Sequence, residues 1–231
     1  MSFPVGLTIG PIFIGKAVTR WSGRPPSAIL KQQAEGRIWL TKVGLRGDEQ
    51  ADLSVHGGVE KALHHYCADH YRFWRKKMPD SAGKFAPGGF GENVSTAGLS
   101  EEQLCIGDVI HLGEALVQIS QGRQPCWKLS AHTGRQEMAA EFQKSGRTGW
   151  YYRVLQEGYI ETGAPVALAE RPRPEWPLPV VIAARFDPKL DPARARQLSM
   201  IEELSASWRE GFMRKSDTAF VEDATPRLAG K

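Results

Sequence analysis

The sequence is poor in cysteine and has no long apolar run. Its 231 residues include three cysteines, at positions 67, 105 and 126, an odd and widely spaced set that argues against a disulfide framework. No apolar stretch approaches the ~18 residues of a membrane span, and the opening MSFPVGLTIG lacks the basic and apolar regions of an export signal. We therefore predict a cytoplasmic protein with reduced thiols and no membrane partner.

A strong excess of charge of one sign is also missing. The 30 basic and 26 acidic residues give a net charge of +4. Charged residues make up 24% and hydrophobic residues 41% of the chain, which is typical of a soluble globular protein. This balance is weak evidence for nucleic acid and favours a small anionic ligand if the positive charges converge. We expect no nucleic-acid partner.

The first 170 residues consist mostly of short strand-like segments separated by glycine-rich turns. Segments 38–43, 109–112 and 115–119 are examples, and in the last of them the apolar residues alternate with a period of two. Strands of this length and spacing predict a mostly β (α+β) domain over residues 1–170, built as a barrel or closed sheet.

Helical segments are predicted both within this strand-rich region and after it. Two insertions, 61–77 and 126–144, have helical character, and the second is interrupted near Gly134. Segment 171–179 contains four prolines, which favours a stiff, extended linker. Residues 180–231 are then predicted to form a small C-terminal helical domain.

The C-terminal domain carries an apolar stripe at steps of three and four residues, the pattern of an amphipathic helix: Leu198, Ile201, Leu204, Trp208 and Phe212. The two aromatic side chains would be costly to leave in water. We therefore predict that the tail packs on the first domain or on another subunit, and that it contributes to assembly, for example as a homodimer.

The stretch SQGRQPCWK places Cys126 after a proline and between two basic residues. Taken alone, such a cysteine is more often a small buried hydrophobe than a reactive group. Proline suits the first turn of a helix, so the thiol would lie at a helix N-terminus, where N–H groups and the helix dipole favour an anion. Arg123 and Lys128 would lower the thiol pKa further, which favours a metal ligand or a nucleophile.

The segment GDEQADLSVHGGVEK, residues 47–61, combines acids, a histidine and paired glycines. Asp48 or Asp52 either caps a turn or binds a ligand, and composition does not decide between the two. Gly57 and Gly58 indicate a positive φ or a close approach of the backbone.

Two further polar or aromatic positions leave alternatives open. In FGENVSTAGL the Asn93 amide either caps a turn or faces a heterocycle. In TGWYY, Tyr151 is more typical of a core or barrel-lining aromatic than of a nucleic-acid platform, because no basic stripe accompanies it.

The run HHYCADH, residues 64–70, spaces His64, Cys67 and His70 by three. Zinc usually takes four ligands, or three with an open position, from separate elements, so this run alone is weak evidence for a zinc site. An alternative for His65 is a structural histidine that faces inward with Tyr66 and Trp74 and forms hydrogen bonds there.

Taken together, these segments resemble a known family. GDEQADLSVHGGVEKALHHY, FGENVSTAGLSEEQLCIGD, SQGRQPC and GWYYRV with IETGAPVAL follow one another in the order seen in MOSC domains, named for the C-terminal part of molybdenum cofactor sulfurase. Nearly the whole chain is similar to the bacterial YiiM-type proteins. The resemblance implies a MOSC-type β-barrel with helical insertions, followed by a small C-terminal three-helix domain.

The resemblance also implies a molybdenum cofactor. In the family a single cysteine thiolate ligates molybdenum held by the dithiolene of a molybdopterin, and Cys126 occupies the place of that cysteine. Other positions match cofactor-lining places or are candidate pterin or phosphate contacts: Asn93, Tyr151, Arg24, Ser27, Arg123, His56 and Lys61. For the last two, contact with cofactor, with substrate or only with each other stays open.

The activity implied by the resemblance is reduction of N-hydroxylated bases such as 6-N-hydroxylaminopurine to amines, which detoxifies base analogues. A separate flavin or iron–sulfur protein would supply the electrons, because the chain has neither a four-cysteine cluster motif nor a flavin fingerprint. The alternative is a molybdopterin carrier or sulfur-delivery module without turnover of its own. A regulator that binds nucleic acid agrees less well with the modest charge.

Overall fold

The computed structural model describes residues 2–52 and 57–230. Within these ranges the strands are β1 (Ile12–Gly15), β2 (Lys31–Ala34), β3 (Ile38–Thr41), β4 (Gly44–Leu45), β5 (Leu63–Cys67), β6 (Val94–Thr96), β7 (Val109–Leu112), β8 (Ala115–Gly122), β9 (Trp150–Gln156), β10 (Gly158–Ile160) and β11 (Val166–Glu170). The α-helices are α1 (His70–Lys77), α2 (Trp127–Thr133), α3 (Met138–Ser145), α4 (Leu178–Phe186), α5 (Pro192–Ser199), α6 (Ala206–Lys215) and α7 (Thr225–Ala229).

Eight strands form one curved sheet in the order β11-β7-β8-β9-β5-β6-β1-β2, and β10, β3 and β4 form a smaller one. The pair β5–β6 is parallel and the other pairs are antiparallel. A parallel pair needs a crossover connection, which α1 and the loop after it supply.

The fold is the mostly β, α+β architecture that the sequence predicts, but the barrel is not closed by regular pairing. Among the described residues, the end strands β11 and β2 of the large sheet have no ladder between them. The segment before β1 nevertheless approaches β11. Ile9 N donates to Ala164 O over 2.8 Å, and Val166 N donates to Leu7 O over 2.9 Å.

The strands predicted at 109–112 and 115–119 are confirmed. Ala115, Val117 and Ile119 of β8 are fully buried on one face, as the period of two requires. The helix predicted at 126–144 is also confirmed, as α2 and α3. It is interrupted where expected, because Gly134 ends α2 in the left-handed region, with φ of 71°.

The helix predicted at 61–77 is wrong over its first half. Leu63–Cys67 is a strand in the middle of the large sheet, and only His70–Lys77 is helical. All five residues of β5 are buried, because both faces of this strand are covered. Such a strand shows no alternation of polar and apolar residues that would distinguish it from a helix.

The C-terminal helices pack on the first domain. Leu198, Trp208 and Phe212 are buried in the same apolar cluster as Val117 and Ile119 of the sheet. The single helix predicted for this stripe is instead two, α5 and α6, since the chain turns between them and the cap residue Ser205 accepts a bond from the N–H of Trp208. The aromatic side chains are covered within one chain, so their burial gives no reason to expect a second subunit.

In residues 2–52 and 57–230 the three cysteines form no disulfide. No helix in those ranges combines the length and the apolar character needed to cross a bilayer.

Candidate functional site

One cleft in the first domain brings together most of the predicted site residues. It encloses about 600 Å³ of space not filled by protein atoms, open solvent at its mouth included. Six predicted residues line it: Ser27, Lys61, Asn93, Arg123, Cys126 and Tyr151. Sequence reasoning did not place Lys31, His64 or Lys128 in a common site, and left Asp48 undecided, yet all four line the same cleft.

Cys126 lies on the wall of the cleft at the start of α2. It is the N-cap residue of that helix, with extended backbone (φ −132°, ψ 171°), so the predicted position at a helix N-terminus is confirmed. Its side chain is half-buried, whereas Cys67 and Cys105 are buried. The loop that carries it leaves β8 at Gly122, where a Cβ would lie 2.5 Å from Ile182 Cγ1. Only glycine lets the end of β8 approach α4 this closely.

The two basic residues that flank Cys126 in sequence are anchored by backbone carbonyls. Arg123 Nη1 donates to Phe90 O over 2.6 Å, and Lys128 Nζ donates to Pro26 O over 3.0 Å. A guanidinium has five N–H donors and an ammonium three, so each group keeps donors for a ligand. The anchors therefore fix the cations at the cleft without consuming their binding capacity.

The cleft carries four cationic side chains, those of Lys31, Lys61, Arg123 and Lys128, and the two carboxylates of Asp48 and Glu49. Burial lowers the pKa of Lys31, and the charge of Asp48 opposes this shift. Burial likewise lowers the pKa of Lys61, with Asp52 opposing it. A concave surface with this excess of positive charge favours an anionic ligand.

Asp48 is the centre of a buried network rather than the cap of a local turn. One carboxylate oxygen accepts from Lys31 Nζ over 2.5 Å and from a β1 N–H over 2.7 Å, and the other accepts from Asn93 Nδ2 over 2.8 Å. The Asn93 amide also donates to a β1 carbonyl and accepts from the backbone N–H of His64. Every polar atom of the Asn93 side chain thus has a protein partner, and the residue fixes the wall of the cleft.

His64 and Tyr151 face each other across the paired strands β5 and β9. Their ring centroids are 4.9 Å apart and the planes are tilted by 35°. Burial, reinforced by the charge of Arg123, holds the pKa of His64 well below its ordinary value. Burial raises the pKa of Tyr151. At neutral pH the cleft therefore holds a neutral imidazole beside a protonated phenol.

Two predicted residues are not placed on this cleft. Arg24 lies outside it: its Nη1 donates to Gly230 O over 2.6 Å and its guanidinium lies 4.9 Å from the centre of the Trp127 ring. His56 lies outside the described residues. Gly58, just beyond it, has a φ of 86°, which accounts for glycine at that position.

The run that suggested zinc does not share a helix face. His64 and Cys67 belong to β5, and His70 begins α1. In residues 2–52 and 57–230 no group of three or more His, Cys, Asp or Glu side chains is arranged to hold a metal ion.

His65 is a structural histidine, as predicted, but its partners are different from those expected. Its ring lies 4.6 Å from that of Trp150, and Nδ1 is 3.1 Å from the Tyr152 hydroxyl. Tyr66 and Trp74 bond to each other instead, through Nε1 and the hydroxyl at 2.7 Å. Burial lowers the pKa of His65 to about 3.

The α+β fold with its open sheet, the cationic cleft and the half-buried thiol define the class of protein: a MOSC-domain protein. The MOSC domain model matches residues 52–167, and the YiiM-like 3-alpha helix domain model matches residues 176–215. The chain belongs to the MOSC family and, with its second domain, to the YiiM type within it. MOSC domains are associated with binding of the molybdenum cofactor.

Individual relatives agree with this assignment. The chain is 37% identical to protein YiiM of Escherichia coli (strain K12) over 231 residues, all of both proteins. The crystal structure of YiiM from Escherichia coli matches with a TM-score of 0.82 and 31% identity, over 97% of this chain and 99% of that one. A protein named reductase from Gibberella moniliformis is 41% identical over 155 residues, 67% of this chain and 28% of that protein. The family and the reductase relative support an oxidoreductase-type enzyme.

Proposed function

We propose that this protein is a molybdenum-cofactor-dependent reductase that converts N-hydroxylated compounds, such as hydroxylaminopurine-type bases, to amines. The observation that carries the proposal is the position of Cys126 on the wall of the cationic cleft. The other two cysteines are buried away from it. Detoxification of base analogues in the cytoplasm would be the cellular role.

The residues present fit a molybdenum cofactor. A thiolate is a soft, anionic ligand of the kind that molybdenum requires, and Cys126 offers one from a half-buried position on the wall of the cleft. The cofactor also carries a phosphate, for which Lys31, Lys61, Arg123 and Lys128 supply cationic donors. We assign Cys126 as the protein ligand to molybdenum and these four side chains as the binding site for the phosphate and pterin.

The bound cofactor would supply the two electrons that break the N–O bond. The remaining balance is two protons taken up and one water released for each amine formed. Tyr151 keeps its proton and can donate a hydrogen bond. His64 stays neutral and adds no further positive charge to the cleft.

A separate flavin or iron–sulfur protein is proposed as the electron donor. The full sequence has three cysteines, fewer than the four thiolates of a usual iron–sulfur cluster. The N-hydroxylated substrate would enter the same cleft after the cofactor is bound.

Replacement of the thiol tests the proposal directly. Wild type, Cys126→Ser and the matched control Cys105→Ser are produced in a host that makes molybdopterin. Molybdenum is measured by elemental analysis, and reduction of 6-N-hydroxylaminopurine is assayed with a chemical electron donor. We expect molybdenum and turnover in wild type and Cys105→Ser, and a loss of turnover in Cys126→Ser larger than the roughly 10–100-fold cost of removing a group that only supports a ligand.

Absence of molybdenum from the wild-type protein, or full turnover by Cys126→Ser, would contradict the assignment. Molybdenum without turnover, together with transfer of the cofactor to an apo-enzyme, would favour a carrier over a reductase.

A further inference from the structure

The C-terminal segment of the chain returns to the loop that carries Cys126. Residues 217–230, here called the C-terminal strap, end in the short helix α7 and lie beyond both matched domains, 52–167 and 176–215. The guanidinium of Arg227 in α7 donates to the carbonyl of Pro125, the residue before Cys126. It also donates to Gln143 Oε1 on α3 over 2.7 Å.

A third bond from Arg227 reaches the same loop. With its amide in the orientation that satisfies both neighbours, Gln124 Oε1 accepts from Arg227 Nε and from Arg185 Nη2, each over 3.2 Å. The guanidinium also lies 5.8 Å from the centre of the Phe186 ring on α4. Arg227 and Cys126 are close enough to interact electrostatically.

The strap also contacts Trp127, the residue that follows Cys126. A Cβ on Gly230 would lie 2.8 Å from Trp127 Cγ, so the backbone at the end of the strap rests directly on this indole. Arg24 lies against the same ring and donates to Gly230 O. The residues that precede and follow Cys126 are therefore both in contact with the strap.

The strap is anchored to the helical domain by a partly buried ion-pair cluster. Glu222 Oε2 is 2.8 Å from Arg185 Nη1 and 3.3 Å from Lys215 Nζ, and the arginine and lysine side chains of these pairs are about 6% and 7% exposed. Arg185 thus bonds to the strap through Glu222 and to the Cys126 loop through Gln124.

We propose that the C-terminal strap is part of the functional site, with Arg227 as a positioning residue that holds the Cys126 loop against the cleft. A planar guanidinium can reach the Pro125 carbonyl, Gln124 and Gln143 at once, whereas an ammonium on a flexible stem cannot reproduce this fork. The expected effect on turnover rests on the proposed function, but the expected effect on the loop does not.

Hydrogen exchange of the cofactor-free protein tests the structural half. Arg227→Gln should raise the exchange rate of a peptide over residues 122–130 at least about tenfold relative to the part of β8 before Gly122, because hydrogen bonds from a charged donor stabilise more than neutral ones. Arg227→Lys should give a smaller increase. The control Arg214→Gln removes a contact with Phe220 elsewhere on the strap and should leave this peptide unchanged.

Two results would overturn the assignment. One is unchanged exchange over 122–130 in Arg227→Gln. The other is an equal rise in β7 and β8, which would indicate general destabilisation rather than a local role.

The loaded enzyme tests the positioning half. Arg227→Gln should lower kcat about tenfold with KM and molybdenum content near wild type, because a displaced ligand impairs the reacting centre more than substrate binding. Wild-type kcat in Arg227→Gln would contradict the positioning role. If the wild-type protein lacked molybdenum, the proposed function would fail while the hydrogen-exchange result kept its meaning.

Discussion

The two faces of β5 show how position in a strand decides what a residue does. His65 lies in the main apolar core against Trp150, with a hydroxyl bonded to one ring nitrogen and a pKa of about 3. His64, one residue earlier, lies on the cationic cleft beside Tyr151. Successive side chains of a strand point to opposite faces, so two adjacent imidazoles occupy a core and a candidate active site.

The neighbouring strand β9 repeats this division. Trp150 and Tyr152 are fully buried in the core, and Tyr151 between them lines the cleft. The core face is therefore expected to determine stability, and the cleft face ligand binding.

The largest effect should come from breaking the core face. Trp150→Ala should lower the free energy of unfolding by about 3–5 kcal/mol, because a fully buried indole is replaced by a cavity. The matched change Tyr151→Ala should cost about 1–2 kcal/mol but weaken cofactor retention. Urea denaturation of the cofactor-free variants measures the first quantity and molybdenum content the second. Equal losses of stability in both variants would refute the division.

A somewhat smaller effect is expected from two consecutive acids on the cleft. Asp48→Asn removes the negative charge that is paired with the Lys31 ammonium, about 6% exposed, and should cost about 3 kcal/mol. Glu49→Gln removes a pair with Lys16 in which the lysine is 65% exposed, and should leave stability unchanged within error. Thermal and urea unfolding at constant ionic strength measure both. A similar cost for the two changes would show that burial does not distinguish these pairs.

The smallest effect, counted per pH unit and per group, is the dependence of stability on pH. Burial lowers the pKa values of His64 and His65, so the native state stays unprotonated while the unfolded chain binds protons below about pH 6.5. Their contribution is thus complete above that pH and is lost as the pH falls, in the case of His65 down to about pH 3. Each group should add a slope of about 1.4 kcal/mol per pH unit near pH 5. His65→Gln, compared with wild type by urea unfolding from pH 7 to 4.5, should remove one such slope, and an unchanged slope would contradict the assignment.

The local sequence pattern was sufficient to predict those elements that bury only one face. The strand at 115–119 was readable because its apolar residues alternate, and the break at Gly134 because glycine permits the left-handed helix end. Strand β5 was misread as helix, since burial on both faces removes the alternation.

The candidate site was predictable only in part, for the same physical reason. Cys126 was indicated by its own neighbours in sequence, a proline and two cations. Lys31 lies in β2 and Asp48 in the loop after β4, and the two meet beside Gly15 of β1 without any local pattern that marks it. Arg227 reaches Pro125 across 102 positions of chain. Contacts of that kind depend on the tertiary fold and are invisible to a local pattern.

The free edge of the large sheet has a consequence for the behaviour of the protein at high concentration. The edge strand β2 is four residues long and reads Lys-Gln-Gln-Ala, with its middle glutamines exposed. A short, polar edge strand gains little free energy when it pairs with a strand of another molecule. Two copies of the chain that collide at this border are therefore expected to separate again rather than begin an aggregate.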